Sequence, residues 1–350
     1  MVGLRSILGD TMGKLIRGLA AEGQLRVMVL DTKDIVTEAQ ERHLLSLTAT
    51  AALGRAMTGS LILAAMLLKT PRERVSVRFR GDGDLGGAVV EASPDGTVRG
   101  YVQNPAADLP LRADGKLDVG GLVGEGTLEV SRSLANGEIY SSSVPLISGE
   151  IAEDYTYYLW QSEQIPSSLL LGVRLDSSGQ VEVAGGMAIQ ALPGVDPAVL
   201  DRVEKNLGSL TGITHLLDEL GPWGTVERVL DGLEPSMVSL KVLGYPDDYL
   251  PLRFACRCSR ERALESLAYF SPAERAAMIR EDQGAEVVCH WCGEAYQISP
   301  DEILSLDEEI RCPDCGELWF RSRTDGLEAV HQDATCSCGR LVQIPSRVRA

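Results

Sequence analysis

All eight cysteines of this 350-residue chain lie after Phe254. That asymmetry splits the folding problem in two. The stretch before Cys256 must fold by burying apolar side chains, whereas the remainder is short, polar and thiol-rich, and must lean on sulfur chemistry. Close cysteine pairs in a reducing compartment are more often metal ligands or redox thiols than permanent disulfides. The N-terminus agrees with such a compartment. Met1 to Gly23 spaces Leu4, Ile7, Leu8, Leu15, Ile16 and Leu19 between Asp10, Lys14 and Arg17, which predicts an amphipathic helix and lacks a signal peptide's continuous apolar segment. The longest apolar run, Leu61 to Leu68, is too short to span a bilayer. The expectation is a cytoplasmic chain with no membrane partner.

The first cysteine set is Cys256-Arg257-Cys258, then thirty residues, then Cys289-His290-Trp291-Cys292-Gly293. Two close pairs of thiolates suit tetrahedral zinc, which accepts four sulfurs and then has no open position for catalysis. Ser271-Pro272-Ala273-Glu274 is a helix start, so helices rather than a floppy loop should separate the pairs. Neighbouring thiolates also stay nucleophilic towards oxidants. A second set, Cys312-Pro313-Asp314-Cys315-Gly316 and, twenty residues on, Cys336-Ser337-Cys338-Gly339, mirrors the first in reversed order. Two zinc sites in chain order is the reading adopted, with Cys312, Cys315, Cys336 and Cys338 forming the second. Spacing also allows a zinc ribbon joining Cys289–Gly293 to Cys312–Gly316, and that alternative stays open.

Upstream, the pattern predicts an α+β architecture: a mixed helix and antiparallel-sheet core domain (1–192), a helical linker (193–245), a four-cysteine zinc domain (246–300) and a zinc-ribbon-like extension (301–350). A long helix, capped by Thr37 and buried on most sides from Leu44 through Leu68, should be central. From Val75 the period turns to two, with strands expected at Val75 to Phe79, Ala88 to Glu91, Val98 to Val102, Thr127 to Val130, Leu169 to Leu175 and Val181 to Ile189. Asp154 to Gln161 reads as a helix on one face of that sheet. Asp196-Pro197 opens a run of short amphipathic helices broken at Gly221-Pro222 and Glu234-Pro235, marginal alone and dependent on docking.

A formal charge of −17 sets a field hostile to phosphate backbones, and residues 301–350 add ten acidic against six basic residues, so no nucleic-acid partner is expected. Gly81-Asp82-Gly83-Asp84-Leu85-Gly86 fits G-x-G-x-x-G, but a strand-like Ala88-Val89-Val90-Glu91 comes next where a dinucleotide fold needs a helix; a hairpin is the reading. His43 and His215 fall in helical patterns without a nucleophile partner, and four cysteines per site leave no ligand role for His290 or His331. No catalytic residue is assigned.

The chain resembles the 33 kDa chaperonin family (heat shock protein 33), the redox-regulated holdase chaperones. The resemblance rests on Cys256-Arg257-Cys258-Ser259-Arg260-Glu261-Arg262, on Cys289 and Cys292, on Glu153-Asp154-Tyr155 and on Ser162-Glu163-Gln164-Ile165-Pro166. Arg80-Gly81-Asp82-Gly83 and Ala184-Gly185-Gly186-Met187 support it over roughly residues 10 to 300. It implies a reduced, zinc-bound resting form; oxidation that pairs Cys256 with Cys258 and Cys289 with Cys292; zinc release; an unfolded linker; a homodimer when oxidised; and binding of unfolding client proteins during oxidative stress. The four later cysteines are additional to the family's four. They keep a second hypothesis alive, a constitutive zinc-ribbon interaction protein with purely structural cysteines. A thiol–disulfide exchange enzyme would need a reactive C-x-x-C at a helix start, and Val287-Val288 before Cys289 with Gly293 after Cys292 reads as a knuckle instead.

Overall fold

The N-terminal segment folds as strand, not helix. In the computed structural model, which describes residues 13–238 and 249–311 and the strands Leu318–Ser322, Asp333–Thr335 and Leu341–Gln343, β1 (Gly13–Ala20) turns through Ala21–Gly23 into β2 (Leu25–Asp31). Leu15 and Ile16, which helical spacing would set on one stripe, sit on opposite faces of β1: Leu15 is buried in one layer, and Ile16 packs against the cluster on the other. Glycine at 13, 18 and 23 was the signal against a helix. A Cβ on Gly18 would lie 2.8 Å from the Ser236 carbonyl oxygen, so only glycine admits the neighbouring backbone there. The residues of that expected helix before Gly13 lie outside the described residues.

The expected single long helix is two. α1 (Lys33–His43) ends where Leu44 turns left-handed, at φ +50°, and α2 (Leu47–Leu67) begins after Ser46, whose hydroxyl accepts from the Ala49 N–H at 3.1 Å. Thr37 lies inside α1 and caps nothing. α2 is buried on nearly every side, as its composition demanded. It is long and apolar enough to cross a membrane, yet 78% of its most apolar window is buried inside the fold. It is a core helix.

After α2 come β3 (Arg74–Gly81), β4 (Ala88–Ala92), β5 (Thr97–Val102), a short α3 (Val119–Val123), β6 (Gly126–Ser133), β7 (Ile139–Pro145), α4 (Ala152–Gln161), β8 (Ser167–Leu175), β9 (Val181–Ala191), α5 (Pro197–Gly208), α6 (Ile213–Val229), β10 (Ser236–Met237) and β11 (Leu250–Phe254). The strands form one sheet in the order β7-β6-β3-β4-β5-β11-β1-β2-β9-β8, with β10 also pairing β1. Among the described residues every pairing in it is antiparallel except β11 with β5. The G-x-G-x-x-G segment is the connection between β3 and β4: a Cβ on Gly83 would lie 2.3 Å from the Leu122 carbonyl oxygen, so the glycine serves close packing against α3.

The motif at Glu153-Asp154-Tyr155 also finds its reason. The buried Asp154 carboxylate accepts from the N–H groups of Ile147 (2.7 Å), Ser148 (3.1 Å) and Ile151 (2.9 Å), fixing the entry to α4. The Tyr155 hydroxyl donates to the Ala56 carbonyl at 2.8 Å, and burial pushes its ionisation far above the usual phenol range. As expected, Asp196 caps α5, accepting from the Ala198 N–H at 2.9 Å, and α6 kinks at Gly221-Pro222. Val203, Leu216, Leu217, Val226 and Val229 of these helices cover Leu25, Val27, Val29, Met187 and Ile189 of the sheet.

Backbone proximity divides the chain into two units, Met1–Cys256 and Arg257–Ala350. The second contains α7 (Arg260–Leu267), α8 (Pro272–Glu281), the hairpin β12 (Ala285–Val288) with β13 (Ala295–Ile298), α9 (Pro300–Leu304), and the paired strands β14 (Asp307–Arg311) with β15 (Leu318–Ser322) and β16 (Asp333–Thr335) with β17 (Leu341–Gln343). The two helices expected between the cysteine pairs are α7 and α8. Ser271 caps α8 with a reciprocal box: its hydroxyl accepts from the Glu274 N–H at 3.3 Å while the Glu274 carboxylate accepts from the Ser271 N–H at 2.7 Å.

Candidate metal centre

The knuckle at Cys289–Gly293 is built by its own backbone. Strands β12 and β13 close so that the Cys289 N–H donates to the Glu294 carbonyl at 2.9 Å, and the Cys289 carbonyl accepts from Cys292 at 3.3 Å and from Gly293 at 2.8 Å. Gly293 takes φ +71°, a conformation that favours glycine and ends the turn. The C-x-C pair comes from the end of β11, with Ala255 still bonded through its N–H to the Val98 carbonyl at 2.9 Å.

The Ser-Arg-Glu-Arg run after the C-x-C pair has a structural purpose. The Ser259 hydroxyl caps α7 by accepting from the Arg262 N–H at 3.3 Å. The Arg260 guanidinium donates to both Glu302 carboxylate oxygens at 2.8 Å and to the Gln297 carbonyl at 2.6 Å, tying the starts of α7 and α9 to β13. That guanidinium, aided by the Ser299 N–H and hydroxyl, holds the Glu302 carboxyl down at about 2. Arg262 reaches back to the Arg257 carbonyl at 2.6 Å.

These supports bring the sulfurs of Cys256, Cys258, Cys289 and Cys292 within 4.8 Å of one another. Cys258 and Cys292 lie 3.4 Å apart, and Cys292 is 2% exposed. Four sulfurs at about 2.3 Å from one zinc ion sit about 3.8 Å apart, so the donor set and its spacing fit that metal. The Tyr296 hydroxyl donates to the Cys258 sulfur at 3.2 Å, and that bond drives the phenol's own ionisation upward. Arg99 on β5 donates to the Cys256 sulfur at 3.8 Å while its other nitrogen sits 3.2 Å from both Glu91 oxygens. Among the described residues this is the one group of three or more cysteine, histidine or acidic side chains placed to share a metal ion, and His290 is not in it. His215 instead faces Glu219 at 3.3 Å, one turn away on α6.

Cys312, Cys315, Cys336, Cys338 and His331 lie outside the described residues. The strands that bracket them in sequence do pair: β14 ends at Arg311 and β15 opens at Leu318, while β16 ends at Thr335 and β17 opens at Leu341. Sequence reasoning missed Arg99, Glu91, Tyr296 and Glu302. Only Glu302 left a local trace, as the acidic end of a Ser-x-x-Glu capping box at Ser299. Arg99 and Tyr296 reach the sulfurs, and Glu91 reaches Arg99, through strand pairing that no short pattern encodes.

A profile of the Hsp33 protein family matches residues 13–299, a span that holds all four clustered cysteines. This chain belongs to the Hsp33 family. A 33 kDa chaperonin from Thermus thermophilus is 59% identical over 97% of this chain and 99% of its own length, and one from Deinococcus radiodurans is 48% identical over 84% and 98%. The crystal structure of a 33 kDa chaperonin from Thermotoga maritima superposes with a TM-score of 0.75 at 34% identity, covering 84% of this chain and 97% of that one. Family membership supports a chaperone function and the α+β fold. The Thermus match must include most of residues 301–350, whereas the family profile stops before them and the Deinococcus match covers only 84% of this chain.

Proposed function

We propose that this Hsp33-family chain is a redox-regulated holdase, reduced and zinc-bound at rest, that binds unfolding proteins once its thiols are oxidised. The observation that carries the reading is the convergence of Cys256, Cys258, Cys289 and Cys292 on one point, the last three in a unit with a thin apolar core. Zinc held by these thiolates supplies folding free energy on the order of 10 kcal/mol to such a unit. Peroxide takes two electrons from each motif's thiolate pair and, with two protons, becomes two waters as the S–S bond forms. The resemblance to the Hsp33 family implies pairing within each motif, Cys256 with Cys258 and Cys289 with Cys292. Once oxidised, these four sulfurs would no longer hold a zinc ion, and the unit would lose that support.

In this reading residues 1–192 are the client-binding and dimerising core, 193–245 the linker, 246–300 the redox switch and 301–350 an extension carrying a second zinc on Cys312, Cys315, Cys336 and Cys338. The two strand pairs bracketing those cysteines support the second site. Release of α5 and α6 would uncover Leu25, Val27, Val29, Met187 and Ile189, an apolar face suited to unfolded chains. The oxidised form would act as a homodimer in the cytoplasm, without catalysis. Light scattering of a thermally unfolding client, with reduced and with peroxide-treated protein of known zinc content, tests this: suppression by the treated form alone is expected, and equal suppression by both rejects the switch. The zinc-ribbon interaction reading draws on the Thermus-shared extension. It predicts that truncation after Leu306, which spares the buried Ile303 and Leu306, abolishes partner binding and leaves holdase behaviour absent throughout.

A further inference from the structure

Strand β11 occupies the centre of the sheet and is short-paired for a strand in that place. It is five residues long, pairs three residues with β1 (Gly13 with Leu252, Lys14 with Pro251, Leu15 with Leu250) and only two with β5 (Arg253 with Thr97, Phe254 with Val98). By contrast β1 and β2 share seven pairs, and β3 and β6 eight. Pro251 has no N–H to give the ladder. Yet β11 alone joins β7-β6-β3-β4-β5 to β1-β2-β9-β8 through backbone bonds.

The two half-sheets do not depend on β11 for their alignment. α2 packs on β3, β4 and β5 of one half and on β8 and β9 of the other, and α1 packs under β11, β1, β5 and β9. Loss of β11 would therefore leave a preformed slot with an unpaired edge on each side and α1 as its floor. The resident side chains show what the slot accepts: Leu250, Leu252 and Phe254 are buried, the last under the Arg42 guanidinium, while Arg253 between them is exposed.

Beside its two-residue ladder with β5, the C-terminal end of β11 is fastened by backbone bonds from Arg253 N–H to the Gly96 carbonyl at 3.0 Å and from Ala255 N–H to the Val98 carbonyl at 2.9 Å. Its next fastening is the Cys256 sulfur itself, held both in the thiol cluster and by Arg99 of β5. A strand with so short a ladder is poised to leave when that anchor goes.

We propose that the gap filled by β11 between β5 and β1 is a binding slot for an extended segment of unfolded polypeptide with apolar residues at alternate positions, and that β11 is its resident occupant in the reduced chain. Oxidation by peroxide, which closes the Cys256–Cys258 bond with two waters as the reduced product, removes the Cys256 anchor and frees β11. A client strand then adds to both edges through its backbone, and its alternate apolar side chains fall on α1. This inference rests on the proposed redox function and gives that function a place on the sheet.

Hydrogen exchange on the full chain separates the two. Reduced protein, peroxide-treated protein, and treated protein with reduced, carboxymethylated α-lactalbumin as the unfolded probe are compared peptide by peptide. Protection of β1, β5 and β11 should fall at least about tenfold on oxidation, and the probe should restore β1 and β5 while β11 stays exposed. If the treated protein binds the probe while β11 keeps its protection, or while β1 and β5 stay open, the slot is wrong and the redox reading survives. If treatment neither releases zinc nor gives probe binding, the redox reading itself has failed. Leu252→Asp, which places a carboxylate in the buried position of β11, should bind the probe while reduced and zinc-loaded; a folded, zinc-loaded variant with no gain also overturns the slot.

Discussion

The unit ending at Cys256 buries Leu25, Leu30, Leu53, Met57, Phe79 and Tyr155 almost completely around two core helices, whereas the unit beginning at Arg257 buries six described side chains in its core, two of them alanines. A fully buried leucine or phenylalanine contributes roughly 1.5–3 kcal/mol, so the first unit can meet its conformational entropy by burial. The second has only Ala263, Leu267, Ala268, Ile298, Ile303 and Leu306 for that purpose; a metal ion on the four clustered sulfurs, three of which it contributes, would make good the difference. The lesson is one of placement. Seven of the eight cysteines fall in the part with the weaker core, and the eighth, Cys256, is the last residue of the other.

Metal removal should break this contrast most sharply. Chelation of the reduced protein is expected to unfold the second unit, through loss of about 10 kcal/mol, while amide protection in α2 and β9 stays unchanged. Cys292→Ser should act the same way, since it removes the most buried sulfur. If the metal-free second unit keeps its amide protection, burial suffices there and the comparison is mistaken.

A core substitution should give the converse. Leu53→Ala, at a position with no exposed surface, is expected to cost about 2–5 kcal/mol in the first unit by denaturant unfolding. Zinc stoichiometry and thiol reactivity of the reduced protein should not change. Asp154→Asn, which weakens a carboxylate accepting several backbone N–H groups, should cost roughly 1–3 kcal/mol in the same unit and likewise leave zinc content alone.

The same division decides what could be read without coordinates. Cysteine spacing, the Ser271 cap and the Asp196-Pro197 start are local, and the structure repeats them. β3 and β5 alternate cleanly because each buries one face. β2 reads poorly since Val27 through Leu30 are all buried, sandwiched between layers, so its alternation is lost. β7 escapes notice for the opposite reason, being an edge strand with mostly exposed side chains. The break between α1 and α2 hangs on one left-handed leucine, a conformation its residue type does not advertise. Arg99 meets Cys256 only because β11 pairs in parallel with β5 across more than 150 residues of chain, a contact that periodicity cannot encode.

The smallest expected effect sharpens the comparison inside the second unit. Arg260 and Glu302 link α7, α9 and β13, but both side chains are substantially exposed, so their pair is screened and its removal should lower the melting temperature of the zinc-loaded unit by a few degrees at most. The pH dependence identifies the pair. Glu302 is held at about 2 in the folded unit, below its ordinary 4.5, so its stabilisation is fully present above about 4.5 and is lost as pH falls towards about 2. The difference in melting between the parent chain and Glu302→Gln should therefore stay constant from pH 7 to 5 and shrink below about 4.5. The comparison is made at pH values where both proteins retain the same measured zinc content, because protonated thiols would no longer hold the ion. A gap that instead grows on acidification would mean that Glu302 repels a neighbouring charge rather than clamping Arg260.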